Sequence, residues 1–159
     1  MFAFIIAGLL ATSADEQITR PPLAGFVVGN QQSSGGASIL EEVPAGETVQ
    51  KWTRMVTTQR FEGLAERLDA AGFLNMLAKA TARSCTDLKA SDVHGSAGSA
   101  VVRLDCRVNS ETGLPETFIA KAVVHGRDLH VFQVAWRSVP SANDVVWGER
   151  YLDGVSVKP

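Results

Sequence analysis

The chain has 159 residues, enough for one domain with its own core and too few for two ordinary ones. Hydrophobic residues make up 45% and charged residues 20%, with a formal net charge of -2. That is the composition of a globular protein, and it lacks the basic excess of a nucleic-acid binder.

The opening stretch MFAFIIAGLLATSADEQ holds an apolar run from Phe2 to Leu10, then Ala11, Ser13 and Ala14, then Asp15 and Glu16. A bilayer span needs about twenty residues, so this run is too short to cross. Its layout is that of a signal peptide over residues 1–14, although no Lys or Arg precedes the apolar part. Residues 15–22 then read as a linker and 23–159 as a single domain, periplasmic or secreted, with no integral span in the mature chain. The alternative is a buried N-terminal strand or helix of a cytosolic protein. No Cys stands at the processing site, so nothing indicates a lipid anchor of the bacterial lipoprotein type.

LAGFVVGNQQ reads as a strand with Phe26 and Val28 on one face. The Ser33–Gly36 turn and the partner strand ASILEEVP follow, the latter stopped by Pro44. PAGETVQKWTRMV predicts a short helix with Val49, Trp52 and Val56 on one face, and VTTQRF returns to strand alternation. A longer helix is expected over Glu62–Ser84. Its first stripe (Leu64, Leu68, Ala71) is rotated from its second (Phe73, Met76, Leu77, Ala80), which predicts a bend or a break near Gly72.

SAVVRLDCRV alternates cleanly, with Ala100, Val102, Leu104, Cys106 and Val108 on one face and Val101, Arg103, Asp105 and Arg107 on the other. ETFIAKAVVHGRDLHVFQVAWRS reads as a hairpin turning at Gly126-Arg127, a register that pairs Val124 with Leu129, Ala122 with Val131 and Lys121 with Phe132. One face then carries Phe118, Ala120, Ala122, Val124, Leu129, Val131 and Ala135, small enough for a helix to lie close. SANDVVWGERYL predicts a last helix capped by Ser141 or Asn143, with Val145, Val146 and Trp147 covering part of the second face.

This order gives an α+β domain, an antiparallel sheet with helices packed on both faces. With EEVPAGETVQKWTRMVTTQRF as a strand–helix–strand unit, it resembles the PsbP-like α/β/α sandwich. It is also similar to uncharacterised proteobacterial envelope proteins that carry a P-x-GET-x-x-x-W segment and two later cysteines. The resemblance covers most of Leu23 to Leu152 and implies accessory or inhibitory roles more than enzymatic ones.

Candidate sites are few. Cys85 and Cys106 stand too far apart, with too few neighbouring ligands, for a zinc pattern, so no metal is expected. A disulfide is favoured over two buried thiols or a reactive one, because an even count in an exported chain points to pairing. His94, His125 and His130 belong to no recognisable motif, and no nucleophile elbow, phosphate loop or H-E-x-x-H occurs, so no catalytic residue and no cofactor is expected. Glu41 and Glu42 point to opposite faces of a strand. The surface expected to bind is Arg103, Arg107 and Lys121 with Trp136 beside them, Arg103 lying opposite Lys121 if the 109–115 loop closes a simple hairpin. These residues favour a non-enzymatic protein-binding or accessory module of the cell envelope with an unknown protein partner. A toxin-immunity inhibitor and a small Cys/His-dependent hydrolase or redox enzyme are the alternatives.

Overall fold

The computed structural model describes residues 17–158, so the signal-peptide reading of residues 1–14 lies outside the described residues. In chain order the strands are β1 (Gln17–Thr19), β2 (Phe26–Ser34), β3 (Ala37–Pro44), β4 (Arg54–Phe61), β5 (Cys85–Ala90), β6 (His94–Gly95), β7 (Ser99–Asn109), β8 (Glu116–His125), β9 (Asp128–Trp136) and β10 (Ser156–Lys158). The helices are α1 (Ala70–Arg83), preceded by a single 3-10 turn at Leu64–Glu66, and α2 (Ala142–Asp153). The main sheet runs β2-β3-β4-β9-β8-β7-β5, all neighbours antiparallel, with β6 on the rim of β7. β1 and β10 pair separately, so part of the expected linker is a strand.

Alternation decides the faces. Along β7, Ala100, Val102, Leu104 and Cys106 are buried while their odd-numbered neighbours are half-buried or exposed. Gly126 takes φ 58 at the β8–β9 turn, a conformation that suits glycine, and Val124–Leu129, Ala122–Val131 and Lys121–Phe132 pair as expected. The alanine-rich face of these strands packs with Leu64, Leu68, Phe73 and Leu74 of the 3-10 and α1 region. The opposite face carries Val56, Ile119, Phe132, Val134 and Trp136 and packs with Tyr151, Leu152, Val145 and Trp147. Gly148 permits that contact, because a Cβ there would stand 2.5 Å from the Trp136 ring. Val146 faces water instead, 43% exposed. The sheet dominates this α+β fold. α1 lies across β5, β7 and β8, whereas α2 lies mainly over β8 and β9, meets Arg54 of β4 through Asp144 and Trp147, and shares its face with Ile18, Leu23, Phe26 and Val157.

The structure departs from the sequence reading at the first expected helix and at the β7–β8 hairpin. No helix forms over residues 44–56. Gly46 sits at φ 89, and the Glu47 carboxylate accepts the Thr53 N–H at 2.6 Å and the Thr53 hydroxyl at 2.8 Å. These local bonds hold a loop where a helix ladder would need the same groups. The long helix breaks before Gly72, as its rotated stripes predict: Asp69 caps α1, its Oδ1 accepting the Gly72 N–H at 2.7 Å. The segment after α1, which the sequence reading left without an element, is strand β5. Arg103 lies opposite Ile119 and Lys121 opposite Val101, two residues from the expected register. The hairpin tightens around Asn109, whose N–H binds Leu114 O and whose side-chain oxygen accepts the Glu111 N–H.

Cys85 and Cys106 form a disulfide with Cα atoms 5.7 Å apart, joining β5 to β7 directly after α1. It closes a loop of 21 residues, worth about 3 kcal/mol in the chain-entropy view. Replacing both cysteines by serine is expected to lower the free energy of unfolding by about that amount without changing the fold, and urea titration followed by circular dichroism checks it. α2 has a full capping box, Ser141 with Asp144, and its other end is held by Lys121, whose Nζ donates to Leu152 O at 2.8 Å and Val155 O at 2.9 Å. Lys121→Met should therefore cost about 1.5–3 kcal/mol, the range for hydrogen bonds from a charged donor, and should raise amide exchange first in residues 150–158.

Candidate binding groove

α1 leaves one end of its own sheet face open. There a groove of about 340 Å³ is floored by Met55, Thr57, Gln59, Gln133, Ala135 and Phe118 from β4, β9 and β8. No α1 residue lines it. Thr57 and Gln133 are direct cross-strand partners, which fixes their side chains side by side.

The P-x-GET-x-x-x-W segment builds one wall. The Glu47–Thr53 bonds and a Thr48–Lys51 turn fold the loop back so that Trp52 is buried against the core. Arg137 lies over the Trp52 ring, its guanidinium carbon 4.2 Å from the ring centre, and donates to Gln50 O at 3.0 Å. The opposite wall is the 109–116 hairpin, where Asn109 Nδ2 donates to Glu116 Oε2 at 3.2 Å. β3 contributes Ile39 and Glu41, the latter accepting from Asn30 Nδ2 at 2.8 Å.

The groove's charge is unbalanced. Glu41, Glu111 and Glu116 line it against the single cation Arg137. Burial pushes the Glu116 carboxyl above the usual carboxylate range, and the Asn109 bond and the Arg137 charge offset this only in part. A floor that mixes amides and a hydroxyl with Met55, Phe118 and Ala135, beside an under-compensated carboxylate, suits a polar ligand carrying positive charge.

The residues expected to bind lie elsewhere and do not form one surface. Trp136 is 3% exposed, under α2. Lys121 is bound to the α2 terminus. Arg103 grips Asp105 through three N–H contacts of 2.7–3.1 Å, and Arg107 reaches out 3.9 Å from Asp87 with 77% of its side chain exposed. A second cleft joins His94 and Arg103 to Glu149 and Asp153, with its charges mixed. His130 is fully buried in β9, opposite Val123. His125 closes the hairpin opposite Asp128, and His94 is exposed on β6. Among the described residues no group of three His, Cys, Asp or Glu side chains is placed to hold a metal ion, and no helix is long and apolar enough to cross a membrane.

The sequence did carry a signal for the groove. Gln133 interrupts the core-facing series Leu129, Val131, Ala135, and Gln59 and Thr57 do the same in β4. Polar residues at core-facing positions of a strand mark a face that is not covered.

Neither a family model nor a curated protein matches this chain. Among solved structures, it is similar to LpqN, described as involved in cell envelope biogenesis of Mycobacterium tuberculosis, at a TM-score of 0.44 and 12% identity over 94% of this chain and 88% of that one. A likeness at that level carries no argument about function.

Proposed function

We propose that this chain is an exported, non-enzymatic binding module of a bacterial cell envelope, and that its groove receives a basic, extended segment of a partner protein. The observation that carries the reading is the half-buried Glu116 at the edge of an uncovered, amide-lined sheet face. A lysine or arginine head beside Glu116 completes the countercharge that Arg137 supplies only in part, while its alkyl stem lies on Phe118 and Ala135. The disulfide suits an oxidising compartment, and the apolar run before Asp15 suits an export signal cleaved near residue 14. A toxin-immunity role is a special case of the same reading, in which the basic segment belongs to the toxin. The PsbP-like resemblance stays a proposal that rests on the P-x-GET-x-x-x-W segment and the antiparallel sheet, and the loop at residues 45–53, where that resemblance expects a helix, weakens it.

A second reading keeps the strand face of Arg103 and Arg107 as a docking site for an acidic partner, favoured by the exposure of Arg107. Two blocked pentapeptides of alternating glycine with either lysine or glutamate separate the readings by calorimetry. The lysine peptide should bind, more weakly as salt rises. Glu116→Gln should lower that affinity by about tenfold, roughly 1.4 kcal/mol, and Arg107→Glu should leave it unchanged. Preference for the glutamate peptide, lost in Arg107→Glu, would transfer the site to the arginine face.

The same variant has a stability signature. The Glu116 carboxyl is raised in the folded state, so the folded chain holds the proton more tightly than the unfolded one. Its contribution is favourable at low pH and turns into a penalty as pH rises through the folded value. Glu116→Gln should therefore melt higher than the parent at pH 7–8, with the gap closing as pH falls below about 4. Melting curves across that range check this. A variant that melts lower at pH 7 would mean that Glu116 is held by the fold itself.

A further inference from the structure

We propose that β2 is a self-association edge, along which two copies of this chain pair antiparallel to continue one sheet across the dimer. The two edges of the main sheet are built differently. β5 is 6 residues long, carries Asp87 and Lys89, and holds Asp87 at φ 60, which disrupts its ladder. Those are the devices by which a sheet edge resists pairing. β2 is 9 residues long, FVVGNQQSS, with no charge and no proline. Its one defence is a register shift between Val28 and Asn30. Val27 and Val28, 44% and 58% exposed, are neighbours on this strand among the few large hydrophobic side chains left in water.

The occupant that fits this edge is a second copy. Beyond the register shift, the uninterrupted segment from Asn30 to Ser34 is neutral and rich in amides and hydroxyls. Placed antiparallel about a two-fold axis at Gln32, it sets Gln32 against its own copy and Asn30 against Ser34, with no like charges opposed. The axis stands perpendicular to the sheet, so both grooves open on the same side of a continuous surface. Two basic segments of one partner could then be held together, and avidity would exceed the affinity of either groove. The pairing itself does not depend on what the groove binds.

A contact confined to one short strand edge belongs to the small, weak class of interface, with a dissociation constant roughly between micromolar and millimolar. Sedimentation velocity of the processed chain should move from monomer toward dimer between about 10 μM and 1 mM, with hydrogen exchange slowing in residues 30–34 as dimer accumulates. V28K/Q32K replaces two exposed side chains; Q32K sets like charges across the axis and V28K adds charge to the same edge. It should stay monomeric over the same range while keeping the parent's circular dichroism and melting temperature. A parent that remains monomeric up to about 1 mM, or slowed exchange that appears in residues 85–90 instead, overturns the proposal. So does a dimer that survives in the folded double variant.

Discussion

A helix is about 10 Å across, and strands stand about 4.8 Å apart. The seven strands on the main path of this sheet therefore make a surface on the order of 30 Å wide, and α1, 14 residues long, covers about a third of it. The other arrangements in the fold follow from that shortfall. α1 lies over β5, β7 and β8, where Ala100, Ala120 and Ala122 let it approach. Over β3, β4 and the end of β9 nothing helical is available, and the floor there turns polar at Thr57, Gln59 and Gln133. The disulfide acts at the same place, fixing the strand that α1 feeds into and so the position of the helix itself.

What would otherwise be a bare strip is closed at its sides by two loops. The 45–53 loop presses Trp52 into the core and lays Arg137 over it. The 109–116 hairpin brings up Glu111 and Glu116. Neither loop fully neutralises the other: the Arg137 guanidinium hydrogen-bonds a carbonyl and lies on an indole face, and its charge offsets the burial of Glu116 only in part. A half-buried carboxylate with incomplete countercharge is costly, and such a cost is tolerated where a ligand adds the rest. On the far face the position is reversed. Lys121 and Asp128 are each satisfied, Lys121 by α2 carbonyls and Asp128 by Arg60 and the Gly63 N–H, and those groups hold the fold together.

Much of this was legible from periodicity. The alternation in SAVVRLDCRV and the Gly126-Arg127 turn gave the β7 faces and the β8–β9 register, and the alanines marked the face on which a helix lies. Pairing of the cysteines was expected from their even number and is present. The misreadings have physical causes. Val49, Trp52 and Val56 share a helical spacing, yet Val49 and Trp52 belong to one core and Val56 to the other, because Glu47 binds Thr53 and ends the helix before it starts. The arginine–lysine patch failed as one surface because a two-residue change in hairpin length moved Lys121 away from Arg103, and α2 then covered Trp136. The groove was missed because its residues come from β3, β4, β8, β9 and two loops, and only the order of strands in the sheet brings them together.

If the uncovered strip is where this protein meets its ligand, the side chains that floor it must respond when the ligand arrives. The most direct measurement is the amide and indole region of the NMR spectrum, backbone and side chain, recorded while the lysine peptide is added. Shifts confined to Gln59, Gln133, Asn109 and the Trp52 indole are the predicted result. An unchanged groove, with shifts gathered around Arg103 and Arg107 or absent altogether, would contradict it.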